Sequence, residues 1–127
     1  MKQPTAILII SCALAILTIF QVALILGLPI GHASWGGQYR VLPMGLRIAS
    51  AGAIIIYGTM YWVTRQRIKK PESRGYEIGV WIIAVYFLLS IFLNLISASN
   101  WEKIWAPVCL VLTWAFYSLA RLKKHNS

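Results

Sequence analysis

His32, Arg47, Asn94 and Glu102 are the side chains of this sequence best suited to chemistry, and they are few and widely separated. Arg47 sits one turn inside an apolar run, where a cation left alone near a bilayer centre costs about 3 kcal/mol. Three readings of it are open: snorkelling outward to headgroups, hydrogen bonding inside a bundle, or holding an anionic ligand. Ser50 follows one turn later on the same face. In a later run Ser90, Asn94 and Ser97 fall at spacings of four and three and so share one face. Asn94 needs a partner, because an unpaired amide in hydrocarbon is costly. His32, Trp35 and Tyr39 lie in the glycine- and proline-rich stretch PIGHASWGGQYRVLP that precedes Arg47. Taken together, His32, Trp35, Tyr39, Arg47, Ser50, Asn94 and Ser97 are the candidate ligand-binding residues, with Gln21 a possible neighbour. The chemistry they offer is hydrogen bonding and anion contact, not covalent catalysis.

The remaining polar residues have simpler readings. Ser99 and Glu102 fit the capping-box spacing, in which each satisfies a free N–H at the start of a helix. His32 is the one external side chain that titrates near neutral pH. No His, Cys or carboxylate spacing matches a metal site, and no phosphate loop or nucleophile elbow is present, so neither metal nor cofactor is expected. No carboxylate falls at mid-membrane depth, which argues against a proton-coupled exporter. Cys12 and Cys109 fall at different depths and read as small packing residues.

The elements that must position these residues are apolar helices. Four long runs, at about residues 5–28, 44–64, 77–97 and 104–120, fill most of the 127 residues. Each approaches the ~20 residues that a helix needs to cross ~30 Å of hydrocarbon. The chain is 59% hydrophobic and 12% charged, with a mean hydropathy of +0.70, far from the ~25% charge of a soluble domain. The expected architecture is therefore all-α: one integral membrane domain over residues 1–127, an antiparallel bundle of four transmembrane helices joined by short connections. The first run is too long for the apolar core of a cleaved signal and reads as a retained span.

The net charge of +9 does not point to nucleic acid, because its placement follows topology. Of the 12 Lys and Arg residues, only Arg40, Arg47 and Lys103 fall on one side of such a bundle. The others sit at the N-terminus, in the segment RQRIKKPESR at residues 65–74, and in the C-terminal tail. By the positive-inside rule both termini are expected in the cytoplasm, with the basic second loop near anionic headgroups. A bacterial plasma membrane is the simplest location.

Two stretches, GLPIGHASWGGQYRVLPMGLRIAS and YFLLSIFLNLISASNWEKIWAPVCLVL, resemble a group of small four-helix bacterial membrane proteins whose function is unknown. The likeness rests on Gly27, Pro29, Gly31, Trp35, Gly36, Gly37, Leu42, Pro43, Leu46, Arg47 and Ser50 in the first stretch. In the second it rests on Asn94, Ser97, Ser99, Glu102, Pro107 and Val108. It covers about half the chain. It implies an external position for these residues and transfers no activity.

The leading functional expectation is a non-enzymatic module that binds, or helps to move, a small or lipid-like ligand through an outer-leaflet polar cluster. Membrane lipids are the expected partners, and self-association is a further possibility. The first alternative is an accessory subunit that docks on a larger membrane protein through the small residues Gly45, Ala49 and Ala53. The second is a membrane-embedded enzyme with His32 or Glu102 as acid or base.

Overall fold

The computed structural model describes residues 2–31, 39–96 and 102–122. Among the described residues it contains four α-helices and no strand: α1 (Gln3–Ile25), α2 (Met44–Lys69), α3 (Arg74–Leu95) and α4 (Trp105–Ala120). A 3₁₀ turn, Glu102–Ile104, leads into α4. α1, α2 and α3 are long and apolar enough to cross a membrane.

Their boundaries follow from backbone chemistry. The chain leaves α1 at Gly27, whose φ of 88° is favourable only without a Cβ. Gly27 N–H donates to Leu24 O and Leu28 N–H donates to Ala23 O, a Schellman closure that satisfies carbonyls left open at the helix end. The helix thus stops three residues before the apolar run does. α2 starts after Pro43, whose carbonyl accepts from the N–H groups of both Leu46 and Arg47. At its other end α2 runs past the apolar stretch to Lys69, so most of the basic segment at 65–74 is helical. The connection to α3 contracts to residues 70–73, closed by Ser73 N–H to Lys70 O at 3.0 Å. Hydropathy marks where hydrocarbon ends, whereas i→i−4 bonds continue wherever no residue breaks them.

α1 packs on α2 and α4, and α3 packs on α4 and α2, so the helices close into a ring. The core is aliphatic and aromatic: Ile10, Leu14, Val80, Leu112 and Leu119 are buried around Phe87 and Phe116, whose rings stack at 5.7 Å. The outside is as apolar as the inside. Leu26, Ile55 and Ile96 are 75%, 72% and 78% exposed, and only about a fifth of the residues in the most apolar part of α1 and α3 are buried. A monomer in water rarely exposes such continuous apolar surface, which is consistent with a membrane protein.

The ends of the bundle are tied at named contacts. Phe20, late in α1, meets Trp105 at the start of α4, with ring centroids 4.9 Å apart. Trp81, early in α3, meets Tyr117 near the end of α4 at 5.5 Å. The C-terminal ends of α2 and α4 lie together, and Arg67 joins them. This side chain is 1% exposed. Its Nε donates to Leu119 O (3.1 Å), its Nη1 to Pro71 O (2.7 Å), and its Nη2 to both Ala120 O (3.1 Å) and Leu122 O (3.0 Å). Two helix C-termini side by side bring two partial negative charges together, and the guanidinium lies between them. From the sequence Arg67 reads as one more topological cation of the basic loop. In the fold it is a buried cap.

Arg67→Met is expected to lower stability by about 2–4 kcal/mol, because several carbonyls lose a charged donor at once. Arg67→Lys should recover less than half of this, since an ammonium cannot reproduce the planar fork. Reversible unfolding in mixed micelles measures both, and a lysine variant as stable as wild type would show that the fork geometry contributes nothing.

Candidate functional site

Of the residues proposed from sequence, Tyr39, Arg47, Ser50 and Asn94 are described, and the hydrogen bonds of Arg47 and Asn94 run to different partners. Asn94 turns to its own helix and to α4: its Nδ2 donates to Ser90 O at 2.7 Å and to Cys109 Sγ at 3.8 Å. Cys109 is thus a weak acceptor as well as a buried packing residue. Arg47 belongs to the opposite helix pair. Its Nε donates to Leu42 O at 2.8 Å, so at least one of its N–H groups holds the segment before α2. Its guanidinium also lies against the turn that ends α1, where a Cβ added to Gly27 would come within 2.9 Å of Nη2. Ser50 is fully buried, and Tyr39 is exposed. His32, Trp35, Ser97 and Ser99 lie outside the described residues, as does the side chain of Glu102.

The connection between α1 and α2 is pinned at its base. Gly31 N–H donates to Arg40 O at 2.7 Å, closing the chain on itself. A Cβ at Gly31 would run into the Tyr39 carbonyl oxygen and lie 2.8 Å from that of Arg40. Only glycine permits this approach without displacing backbone.

The polar side chains that do converge lie between α1 and α2. On α2, Ser50, Tyr57 and Tyr61 follow at spacings of seven and four, one face of the helix. On α1, Ser11 and Thr18 are seven apart, and Leu14 and Gln21 form the adjoining row. Ser11, Leu14, Thr18, Tyr57, Gly58 and Tyr61 line an open groove of about 530 Å³, within the range of small-molecule sites. The groove exists because Gly58 has no side chain to fill it: a Cβ there would meet nothing within 4 Å.

Two features distinguish this groove. Elsewhere in the bundle, helical hydroxyls bond back to the carbonyl four residues earlier: Thr59, Thr64, Ser90, Thr113 and Ser118 all do so at 2.7–3.0 Å. Ser11 and Thr18 make no such bond among the described residues, leaving their hydroxyls to the groove. The second feature lies on the same row of α1 as Leu14: Gln21 is 7% exposed, does not itself line the groove, and keeps its Oε1 buried with no partner among the described residues. Such an orphan acceptor costs about 1–3 kcal/mol.

A second groove, about 260 Å³, lies between α3 and α4 against Trp81, Val85, Leu88, Leu110 and Trp114. Its Thr113 hydroxyl is already spent on Cys109 O, so this groove offers apolar walls and little to orient a ligand.

Sequence reading picked out Gln21 but missed Ser11, Thr18, Tyr57 and Tyr61. Their heptad and four-residue spacings were the available signal. What hid them is that lone hydroxyls in apolar helices usually bond back to their own backbone.

Gly31→Ala is expected to cost about 1–3 kcal/mol, because backbone must move to admit the methyl group. Gly45→Ala, where a Cβ meets nothing, should be neutral or slightly stabilising. Unfolding midpoints of the two variants, measured side by side, check the pair; equal effects would mean that the crossing at Gly31 is not tight.

No protein-family model matches the chain, and no curated protein and no solved structure shows significant similarity to it, so the site's meaning rests on its own geometry.

Proposed function

We propose that this chain is a non-enzymatic membrane module that binds a lipid-like ligand in the groove between α1 and α2. The observation that carries the reading is an open groove with the hydroxyls of Ser11 and Thr18, unbonded among the described residues, on its wall. Polar groups with unfilled hydrogen bonds beside apolar walls suit an amphiphile from the bilayer. In this reading the site lies along the α1–α2 seam, rather than in the Arg47–Asn94 cluster expected from the sequence.

The reading includes four spans in a bacterial plasma membrane, arranged antiparallel with both termini in the cytoplasm. The end contacts support it: late α1 with early α4, early α3 with late α4, and the two C-termini at Arg67. α4 has 16 residues, about 24 Å, and the three residues of the 3₁₀ turn before it add about 6 Å, enough to cross. Lys2, Arg65, Lys69, Lys70, Arg74 and Arg121 are exposed at the start of α1, around the α2–α3 turn and at the end of α4, which suits a cytoplasmic face.

A second reading, docking on a larger membrane protein through α2, is favoured by one observation. Gly45 and Gly52 share a face with the exposed Ile48 and Ile55, and a Cβ at either glycine would meet nothing within 4 Å. Ala49 and Ala53 turn partly inward, so the bare face is not the stripe expected from sequence. Gly52→Cys cross-linking in native membranes distinguishes this reading by yielding a defined heteromeric adduct.

For the leading reading, Gly58→Leu should fill the groove while improving helix propensity. Native mass spectrometry of the full chain, released from nanodiscs, is expected to show lipid-sized adducts on wild type and at least a tenfold loss on the variant. Equal adduct occupancy would remove the groove from the mechanism.

A further inference from the structure

We propose that the α3–α4 groove seats one acyl chain of an anionic phospholipid, with the lipid phosphate on the guanidinium of Arg121 at the end of α4. This site is separate from the α1–α2 groove and stands or falls without it.

The chain is specified by the walls. Trp81, Val85 and Leu88 from α3 and Leu110, Trp114 and Tyr117 from α4 line a groove of about 260 Å³. Val85, Leu88, Leu110 and Trp114 are exposed, so the groove opens on the outer surface of the bundle, where a bilayer lipid has access. Its Thr113 hydroxyl is spent on Cys109 O, and a polar soluble ligand gains nothing along these walls. From Leu110 to Arg121 the chain of α4 rises about 16 Å, close to the ~15 Å that one leaflet contributes to the hydrocarbon layer. A chain lying along the groove therefore brings its head to the level of Arg121.

The head is specified by what stands at the end of the groove. Arg121 Nη1 donates to the Tyr117 hydroxyl at 2.8 Å, and its guanidinium carbon lies 5.7 Å from the centre of that ring. Tyr117 is itself set against Trp81 across the groove, with ring centroids 5.5 Å apart. The cation is thus fixed beside two groove-lining rings while it stays exposed, and among the described residues it has no carboxylate partner. Arg74 opens α3 two turns before Trp81 on the same side of the helix, and it makes no ion pair there either. Arg67 bonds both Pro71 O and Ala120 O, so the α2–α3 turn lies beside the end of α4. Around these two segments Arg65, Lys69, Lys70, Arg74 and Arg121 are exposed, against the two carboxylates of Glu72 and Glu77. A guanidinium holds a phosphate through paired N–H···O bonds. A choline head would bring its own cation into this positive field, whereas an anionic phosphodiester is drawn to it.

The test uses the full chain in neutral detergent micelles, titrated with phosphatidylglycerol or with phosphatidylcholine of the same acyl chains. Native mass spectrometry reads the occupancy of the first bound lipid. Wild type is expected to bind phosphatidylglycerol about tenfold more tightly than phosphatidylcholine. Arg121→Gln should lower that preference about fivefold, and Arg65→Gln, on a helix that contributes no residue to this groove, less than about twofold. Tyr117→Phe keeps the ring and removes the hydroxyl that holds the guanidinium; it should move the preference in the same direction and serves as the check if Arg121→Gln misfolds. Val85→Trp, which fills the groove without changing charge, should weaken phosphatidylglycerol binding, and excess inorganic phosphate should leave it unchanged. Equal effects of Arg121→Gln and Arg65→Gln would mean diffuse attraction and overturn the site. Undiminished binding by Val85→Trp, or displacement by inorganic phosphate, overturns the acyl-chain assignment.

Discussion

Arg67 sets the geometry on which the rest of the bundle depends. In hydrocarbon every backbone carbonyl must find a donor, and the last carbonyls of a helix have none within it. α4 ends at Ala120, and its last carbonyls need donors from outside the helix. The guanidinium of Arg67 reaches from α2 and takes Leu119, Ala120 and Leu122 together, with Pro71 from the following turn. One side chain thereby fixes the relative height of α2 and α4. With α2 placed, the face that carries Ser50, Tyr57 and Tyr61 is set against α1.

The two halves of the ring solve packing differently. α3 and α4 are joined by large apolar contacts, of which the Phe87–Phe116 stack is the centre, and the polar groups there are bonded: Ser90, Thr113 and Ser118 to backbone, Asn94 to Ser90 O and Cys109. Between α1 and α2 small and hydroxylated residues leave space, and Gln21 keeps an unfilled acceptor. Among the described residues Gln21 Oε1 is the buried side-chain polar atom left without a partner. This contrast, more than any single residue, separates scaffold from site.

The connection between α1 and α2 acts on the same seam from outside. Gly27 turns the chain out of α1, Gly31 lets two backbone segments cross, and Arg47 ties the start of α2 to both sides of this turn. The glycines are needed for two different reasons: Gly27 for its positive φ, Gly31 for the closeness of a neighbouring carbonyl. Arg47 therefore ties the start of α2 to the turn that ends α1.

The sequence alone determined the helical class and the approximate course of three helices long and apolar enough to cross a membrane, because backbone hydrogen bonding leaves few solutions for runs of about twenty apolar residues. It also showed that Asn94 and Gln21 needed partners. It did not determine which partners, since spacing along one helix gives a face and not the neighbour of that face. Arg47 and Asn94 looked like one cluster because they share a depth; their hydrogen bonds run to Leu42 O for the one and to Ser90 O and Cys109 Sγ for the other. Arg67 looked like a surface cation because its neighbours in sequence are charged; only the meeting of two helix ends shows it buried. The groove was the least legible feature. It arises from an absent side chain at Gly58 and from hydroxyls that decline their usual backbone bond, and both acquire meaning only when a second helix is placed beside them.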